Sequence, residues 1–136
     1  MSKNHNTISV SSSKKVQLID ITHDVEKIVS SSGASSGVCY VYTPHTTAAI
    51  TINENADPDV VTDIITSLDR LFPWNDHYRH REGNSAAHVK ASLIGPQVVV
   101  PVRDGRLQLG TWQAVFFCEF DGPRRRHVLI QPLPGP

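Results

Sequence analysis

The residues with the greatest capacity for chemistry are three histidines from separate parts of the chain, His45, His80 and His88. Three neutral imidazoles with an open fourth position make the layout of a catalytic metal site. His80 and His88 lie eight positions apart, which sets them on no common helix face and matches no dedicated zinc spacing such as two histidines four apart. Any convergence has to come from the fold. His77 is the reserve ligand from the same loop, and His127 a weaker one. Glu119 stands among Phe116, Phe117 and Phe120, so its carboxylate must be paired, face a metal, be protonated or sit at a wet strand end. Gln113 shares the face of Glu119 in an extended strand, and Trp112 is either core or a stacking platform for a ligand. Arg124, Arg125 and Arg126 read most simply as an exposed basic turn. One of them suits a phosphate, because guanidinium matches phosphate oxygens two at a time.

The elements that must position these groups follow from periodicity. Extended backbone through residues 45–53 puts Ile50 and Ile52 on one face and His45, Thr47, Thr51 and Asn53 on the other. That polar stripe is either a site or the solvated outer face of an antiparallel sheet. Asp57–Pro58 starts a helix running to about Leu71, because aspartate accepts from the first free amides and proline at the first helical position gives up no needed donor. Its Val60, Val61, Ile64, Ile65 and Leu68 recur at three- and four-residue steps, the pattern of a core-packing helix. Residues 73–83 form a loop, after which Asn84 is placed to cap a short helix over Ser85–Ile94, closed by Gly95–Pro96.

Strands are expected over residues 7–12 and 16–21, pairing as a hairpin across 13–15, with a short helix from 22 to 29 and a loop over 30–37. Further strands fall at 38–43, 48–53, 97–102, 106–109, 112–120 and 126–131, with Asp104–Gly105 a strong two-residue turn signal. Both faces of the 112–120 strand carry apolar residues. The fold class is α+β: a mainly antiparallel sheet or sandwich with two or three flanking helices, in a single domain over residues 7–136 after a flexible start at 1–6.

Composition narrows the function. Thirteen basic side chains balance thirteen acidic ones, so no field is present for nucleic acid or an anionic membrane surface, and an anion site must be local. Cys39 and Cys118 have no paired spacing, which argues against a disulfide framework and for a reducing compartment. Cys118, on a strand without a neighbouring base, reads as a small hydrophobe rather than a nucleophile. No signal-peptide stretch or membrane span is apparent, so a cytoplasmic location is expected.

The blocks His45-Thr-Thr-Ala-Ala-Ile-Thr-Ile-Asn-Glu-Asn-Ala-Asp-Pro58, Tyr78-Arg-His80, Ala87-His-Val-Lys-Ala-Ser-Leu-Ile-Gly95 and Gly105-Arg-Leu-Gln-Leu-Gly-Thr-Trp-Gln113 followed by Glu119, in this order, resemble the YjbQ-type family of secondary thiamine-phosphate synthases. The resemblance spans nearly the whole chain from about Thr7. It implies a β-sandwich-like α+β domain, a homotrimer, and a divalent metal, zinc or magnesium, near the matching histidines. Position 47 is Thr where the family commonly has Ser, which retains a hydroxyl.

The resulting expectation is a metal-dependent enzyme. His45, His80 and His88 hold the metal, Glu119, Gln113 and Asn53 act in catalysis, and Thr47, Trp112 and Arg126 contact a phosphorylated small molecule. The reaction implied by the resemblance joins hydroxymethylpyrimidine diphosphate to thiazole phosphate, giving thiamine phosphate and pyrophosphate. The rival readings are a metal-dependent phosphoester hydrolase and a non-catalytic metal- or ligand-binding trimer.

Overall fold

A computed structural model of the protein describes residues 6–136. The expected flexible start at 1–6 therefore lies outside the described residues except for Asn6. Eight strands and three helices follow in the order β1 (Thr7–Ser11), β2 (Gln17–Asp20), α1 (Thr22–Ser32), β3 (Ser36–Tyr42), β4 (Ala48–Glu54), α2 (Pro58–Leu71), α3 (Ser85–Ile94), β5 (Gln97–Arg103), β6 (Arg106–Leu107), β7 (Gln113–Glu119) and β8 (Arg125–Pro134). The strands make two sheets, a five-stranded one in the order β1-β8-β3-β5-β6 and a three-stranded one in the order β2-β7-β4. All of the strand pairs are antiparallel. The α+β class and the antiparallel sandwich expected from the strand pattern are what the chain adopts.

The main core lies between the sheets. Cys39, Val41, Val100, Val128 and Ile130 come from the larger sheet, Ile50, Val115 and Phe117 from the smaller, and Val25 and Val29 of α1 close one end. A second cluster lies on the other side of the small sheet, where Ala49, Cys118 and Phe120 meet Leu68 of α2 and Ala87 and Ala91 of α3. The small sheet is thus apolar on both faces. This accounts for β7, in which Val115 and Phe117 point into the first core while Cys118 serves the second.

Three expectations about the elements need correction. Strands β1 and β2 do not form a hairpin: β1 pairs with β8 and β2 with β7, so residues 12–16 carry the chain from one sheet to the other. β1 and β2 each take the edge of a different sheet, a choice of partner that periodicity alone cannot see. Helix α1 continues to Ser32, past the serine-rich stretch read as a loop, and ends at Gly33 with φ of 80°. Finally, β4 begins only at Ala48, so extended alternation does not carry back to His45 and Thr47.

Other local signals hold. Asp57 caps α2 by accepting from the Asp59 amide at 2.9 Å, with Pro58 in the first turn. Asp104 and Gly105 both have positive φ, as the tight β5–β6 turn requires. No helix is long and apolar enough to cross a membrane among the described residues.

Helices α2 and α3 are joined through charge as well as apolar contact. Lys90 of α3 is 1% exposed and its ammonium pairs with Asp69 of α2, whose carboxylate is half open to solvent. Its Nζ lies over the Phe120 ring, 6.0 Å from the centre. Removing the carboxylate leaves a buried ammonium with one partner fewer, whereas replacing the lysine by an apolar chain of similar length does not. Asp69→Ala is expected to lower unfolding free energy by roughly 1–3 kcal/mol, discounted for the exposure of Asp69, and Lys90→Met to lower it less. Urea denaturation of both variants measures the order of the two effects, and equal losses would contradict this account.

Candidate functional site

The site forms at one end of the sandwich, where the β3–β4 connection, the 80–84 loop, the first residues of α3 and the turn between β7 and β8 meet. A cleft of about 300 Å³ opens there, with His45, Thr46 and Thr47 from the first of these segments along its wall. Glu82, Asn84 and His88 enter from the loop and α3, and Asp121, Arg124 and Arg126 from the turn and β8.

Its foundation is an ion pair between the two sheets. In β8 the inward alternation Arg126, Val128, Ile130 carries Arg126 into the space between the layers, and in β7 the alternation Val115, Phe117, Glu119 carries the carboxylate to meet it. Arg126 donates from Nε to Glu119 Oε1 at 2.9 Å and from Nη2 to Oε2, and the same Nη2 bonds Thr47 Oγ1 at 2.8 Å. Ser12 Oγ donates to Glu119 Oε1 at 2.8 Å and the Asp121 amide to Oε2 at 2.9 Å. Burial by itself pushes the Glu119 carboxyl pKa up. The hydrogen bonds from Arg126, Asp121 and Ser12, with the guanidinium charge, outweigh burial and hold it below the ordinary glutamate value. Fully enclosed and fully bonded, Glu119 is a clamp for Arg126 in place of the acid–base role expected for it.

The turn that follows is tightly seated. Gly122 sits where an added Cβ would lie 2.2 Å from the Lys14 carbonyl oxygen and 2.6 Å from Ser12 Oγ, so any side chain there forces the 12–15 crossover away from the turn. Arg124 closes the turn from outside, donating from Nε to the Asp121 carbonyl at 2.7 Å and from Nη2 to Asp121 Oδ2 at 3.0 Å.

His45 is oriented by the backbone. Its Nε2 accepts from the His127 amide at 3.0 Å, so in the neutral ring the proton resides on Nδ1. Burial first, then the charges of Arg126, His127 and Arg124, lower its pKa below the ordinary histidine value, against a smaller opposing effect of Glu119. His45 is accordingly neutral at pH 7. His80 and His88 meet edge to face with ring centres 5.4 Å apart, and His80 Nε2 lies 3.6 Å from Glu82 Oε1. His45 and His88 share the cleft, and His80 is not among its lining residues.

The three-histidine metal centre is not formed by this arrangement. Nε2 of His45 is engaged by the chain's own amide, and among the described residues no group of three or more His, Cys, Asp or Glu side chains is set to hold a metal ion. His77 is exposed on the loop, outside the cleft, and His127 points outward on β8, its ring stacked 6.2 Å from that of His45.

The structure also separates residues expected together. Gln113 and Glu119 stand at opposite ends of β7, roughly 20 Å apart at strand rise. Asn53 pairs with Ala114 and Glu54 with Gln113, so Asn53, Gln113 and the exposed Trp112 belong to the far end of the sandwich. There Gln113 Oε1 accepts from the Gly110 amide at 2.8 Å and closes a turn. Thr47, Arg126, His45 and His88 remain around one cleft. Burial pushes the Cys118 thiol up to about 12, as befits a core side chain and not a nucleophile.

Asn84 was legible only as a helix cap, yet its side chain makes no capping bond and instead donates to Asp121 Oδ2 at 2.8 Å and to Glu82 Oε2 at 3.2 Å. The ion pair left a usable trace, since an arginine in register with inward Val128 and Ile130 demands a buried partner.

The profile of the family described as UPF0047 protein YjbQ-like matches residues 6–134. The chain belongs to the YjbQ-like family. The UPF0047 protein YugU of Bacillus subtilis is 50% identical over 128 residues, covering 93% of this chain and 97% of that one. A UPF0047 protein of Methanocaldococcus jannaschii is 48% identical over 122 residues, covering 90% and 88%. A crystal structure of an uncharacterized conserved family protein from Clostridium acetobutylicum matches with a TM-score of 0.92 at 52% identity, over 93% of this chain and 98% of that one. A YbjQ-like protein of unknown function from Sulfolobus solfataricus matches with a TM-score of 0.88 at 38% identity, over 91% of each. These YjbQ-like relatives carry no assigned activity. The expectation of a metal-dependent thiamine-phosphate synthase is overturned by these names, which give the family no such activity.

The clamp predicts a pH signature. A glutamate whose folded pKa is depressed contributes stability that is fully present above its unfolded value near ~4.3 and is lost as pH falls through the folded value. Glu119→Gln leaves Arg126 buried without its counter-charge. It is expected to cost roughly 3–5 kcal/mol at pH 7 and to show a shallower further loss than wild type on acidification below about pH 5. Urea midpoints from pH 7 to pH 3 for both proteins check this, and parallel curves would remove the clamp.

Proposed function

We propose that the cleft binds a small molecule through an oxyanion group, phosphate or carboxylate, with the neutral ring of His45 as a hydrogen-bond donor and His88 as the group that moves protons on it. The observation that carries this reading is Arg126. A guanidinium buried at 4% exposure is held rigid by Glu119 and Thr47 in the wall of a polar cleft that also receives Arg124, a neutral histidine and hydroxyls. Fixed donors of this kind are worth more than flexible surface lysines because they need no ordering when an anion arrives. The Nδ1–H of His45 adds a donor on a ring that has already shed its charge. A phosphorylated small molecule is the favoured ligand, since guanidinium and hydroxyl donors match its oxygens.

Titrating inorganic phosphate into the protein while following histidine ring signals by NMR tests the reading. Saturable shifts of the His45 and His88 resonances are expected, with affinity weakened about 10- to 100-fold in Arg124→Ala, whose side chain is half exposed and outside the core. Absence of saturable shifts in wild type would overturn the proposal.

Assembly as a homotrimer belongs to the same reading. The outer face of the five-stranded sheet is apolar where an antiparallel sheet facing water is ordinarily polar. Exposed Tyr42 lies opposite Leu129, exposed Val99 opposite Tyr40, and exposed Leu133 opposite Val38. Contiguous apolar rows of this kind favour burial against another copy. His127 projects from the same face and bonds His45 through its amide, so the cleft rim adjoins the contact. Light scattering is expected to give three times the 15.0 kDa chain mass, and Leu129→Glu to shift the population toward monomer. A wild-type monomer at working concentration would remove the trimer.

A further inference from the structure

The polar cleft does not end at its histidines. A second hollow of about 320 Å³ adjoins it, sharing His45, Thr46 and His88 and completed by Ala48, Ala91, Ser92 and Pro96. The cleft therefore passes into the hollow along the three shared residues. On α3, His88, Ala91 and Ser92 stand at three- and four-residue steps on one face, which looks onto the start of β4 at Ala48. Ala48 and Ala91 each offer a single methyl group, too short to fill the space beside them. Main-chain bonds hold the walls apart: the Gly95 amide donates to the Ala91 carbonyl at 2.9 Å, the Ile50 amide to the Gly95 carbonyl at 3.1 Å and the Thr43 amide to the Pro96 carbonyl at 2.9 Å. The end of α3 is thus tied to β4 and to the connection before it, and the hollow is formed before any ligand arrives. Its chemistry differs from that of the cleft. Glu82, Asp121, Arg124 and Arg126 line the cleft, whereas the hollow is lined by methyl groups, a proline ring, two hydroxyls and the histidine rings, with no Asp, Glu, Lys or Arg. A charged group placed there would give up water without gaining a counter-charge, and an apolar one gains by leaving water.

From this geometry we infer that the hollow is a second subsite, which takes the uncharged organic group of the ligand while the cleft takes its oxyanion. The chemical class is a phosphate monoester of a small apolar alcohol or phenol. Its ester oxygen falls beside His45 and His88, the residues common to both sides, within reach of their ring N–H donors. The hollow exceeds the ~150 Å³ that holds one aromatic ring, so a group of about six carbons fits it. The inference rests on the oxyanion reading above and adds the part of the molecule by which one phosphate ester is told from another.

The experiment titrates inorganic phosphate, methyl phosphate, n-butyl phosphate and O-phosphoserine into wild type and Ser92→Trp by calorimetry. Each methylene moved from water to an apolar site is worth about fourfold in affinity, and the butyl ester carries about three more than the methyl ester, so wild type is expected to bind it at least ~10-fold more tightly. O-phosphoserine, whose organic group is charged, is expected to bind no better than methyl phosphate. Intermolecular NOEs from the butyl chain to the Ala48 and Ala91 methyls are expected to locate it in the hollow. Ser92 is exposed on α3, so an indole there meets no core and should lower the butyl-to-methyl ratio several-fold by filling the hollow. Equal binding of the butyl and methyl esters to wild type, or NOEs from the butyl chain to the sheet face around Leu129 in place of Ala48 and Ala91, would overturn the subsite while leaving the oxyanion reading intact. An undiminished ratio in Ser92→Trp, or O-phosphoserine matching the butyl ester, would overturn it as well. Failure of all four phosphates to bind would sink both.

Discussion

A single buried ion pair, Glu119 with Arg126, joins the two sheets at the end of the sandwich where the cleft opens. Two charges taken from water are costly, and the interior returns that cost only if every remaining lone pair and proton is satisfied. Here Ser12 from the end of β1, the Asp121 amide from the β7–β8 turn and Thr47 from the start of β4 complete the set. The pair therefore brings four chain segments to one point. The narrow seat of Gly122 against Lys14 and Ser12 follows from that convergence.

The cleft inherits its rigidity from this arrangement. Arg126 meets the cleft with its orientation already spent on Glu119, and Thr47, which bonds it, is itself tied by its carbonyl to the Phe120 amide at 3.1 Å. His45 lies two residues before Thr47 and is locked to the backbone of β8 beside Arg126, so the histidine and the guanidinium are positioned by the same two strands. Elements on the other wall are held differently. Asn84 bridges Glu82 and Asp121 at the start of α3, and the loop before it is exposed through Gly83. One wall is thus anchored in the core and the other rests on a surface loop.

At the far end of the sandwich Gly110, Trp112 and Gln113 close a self-contained turn, with the Trp112 carbonyl accepting from the Asn55 amide at 2.9 Å. Nothing in that turn reaches the cleft, although its residues carried much of the family resemblance. Sequence specificity and site membership are separate properties: a turn that sets strand register is as constrained as a ligand contact.

Much of the fold was legible in the chain because local physics decides it. The Asp57–Pro58 start of α2, the Asp104–Gly105 turn, the span of α3 and the two apolar faces of β7 each depend on neighbours within a few residues. The family could likewise be read from ordered blocks of residues. What the sequence could not decide was anything set by partners far along the chain. The separation of β1 from β2 into different sheets, the diversion of Asn84 from capping to the cleft and the engagement of His45 Nε2 by the His127 amide all turn on contacts 37 to 122 residues distant. A strand's alternation says which side chains share a face, and only the packing of one sheet on another says what that face meets. For that reason Glu119, legible as a carboxylate in need of a partner, could not be assigned Arg126 from the sequence, and His45, legible as a ligand candidate, could not be seen to spend its Nε2 on a backbone amide.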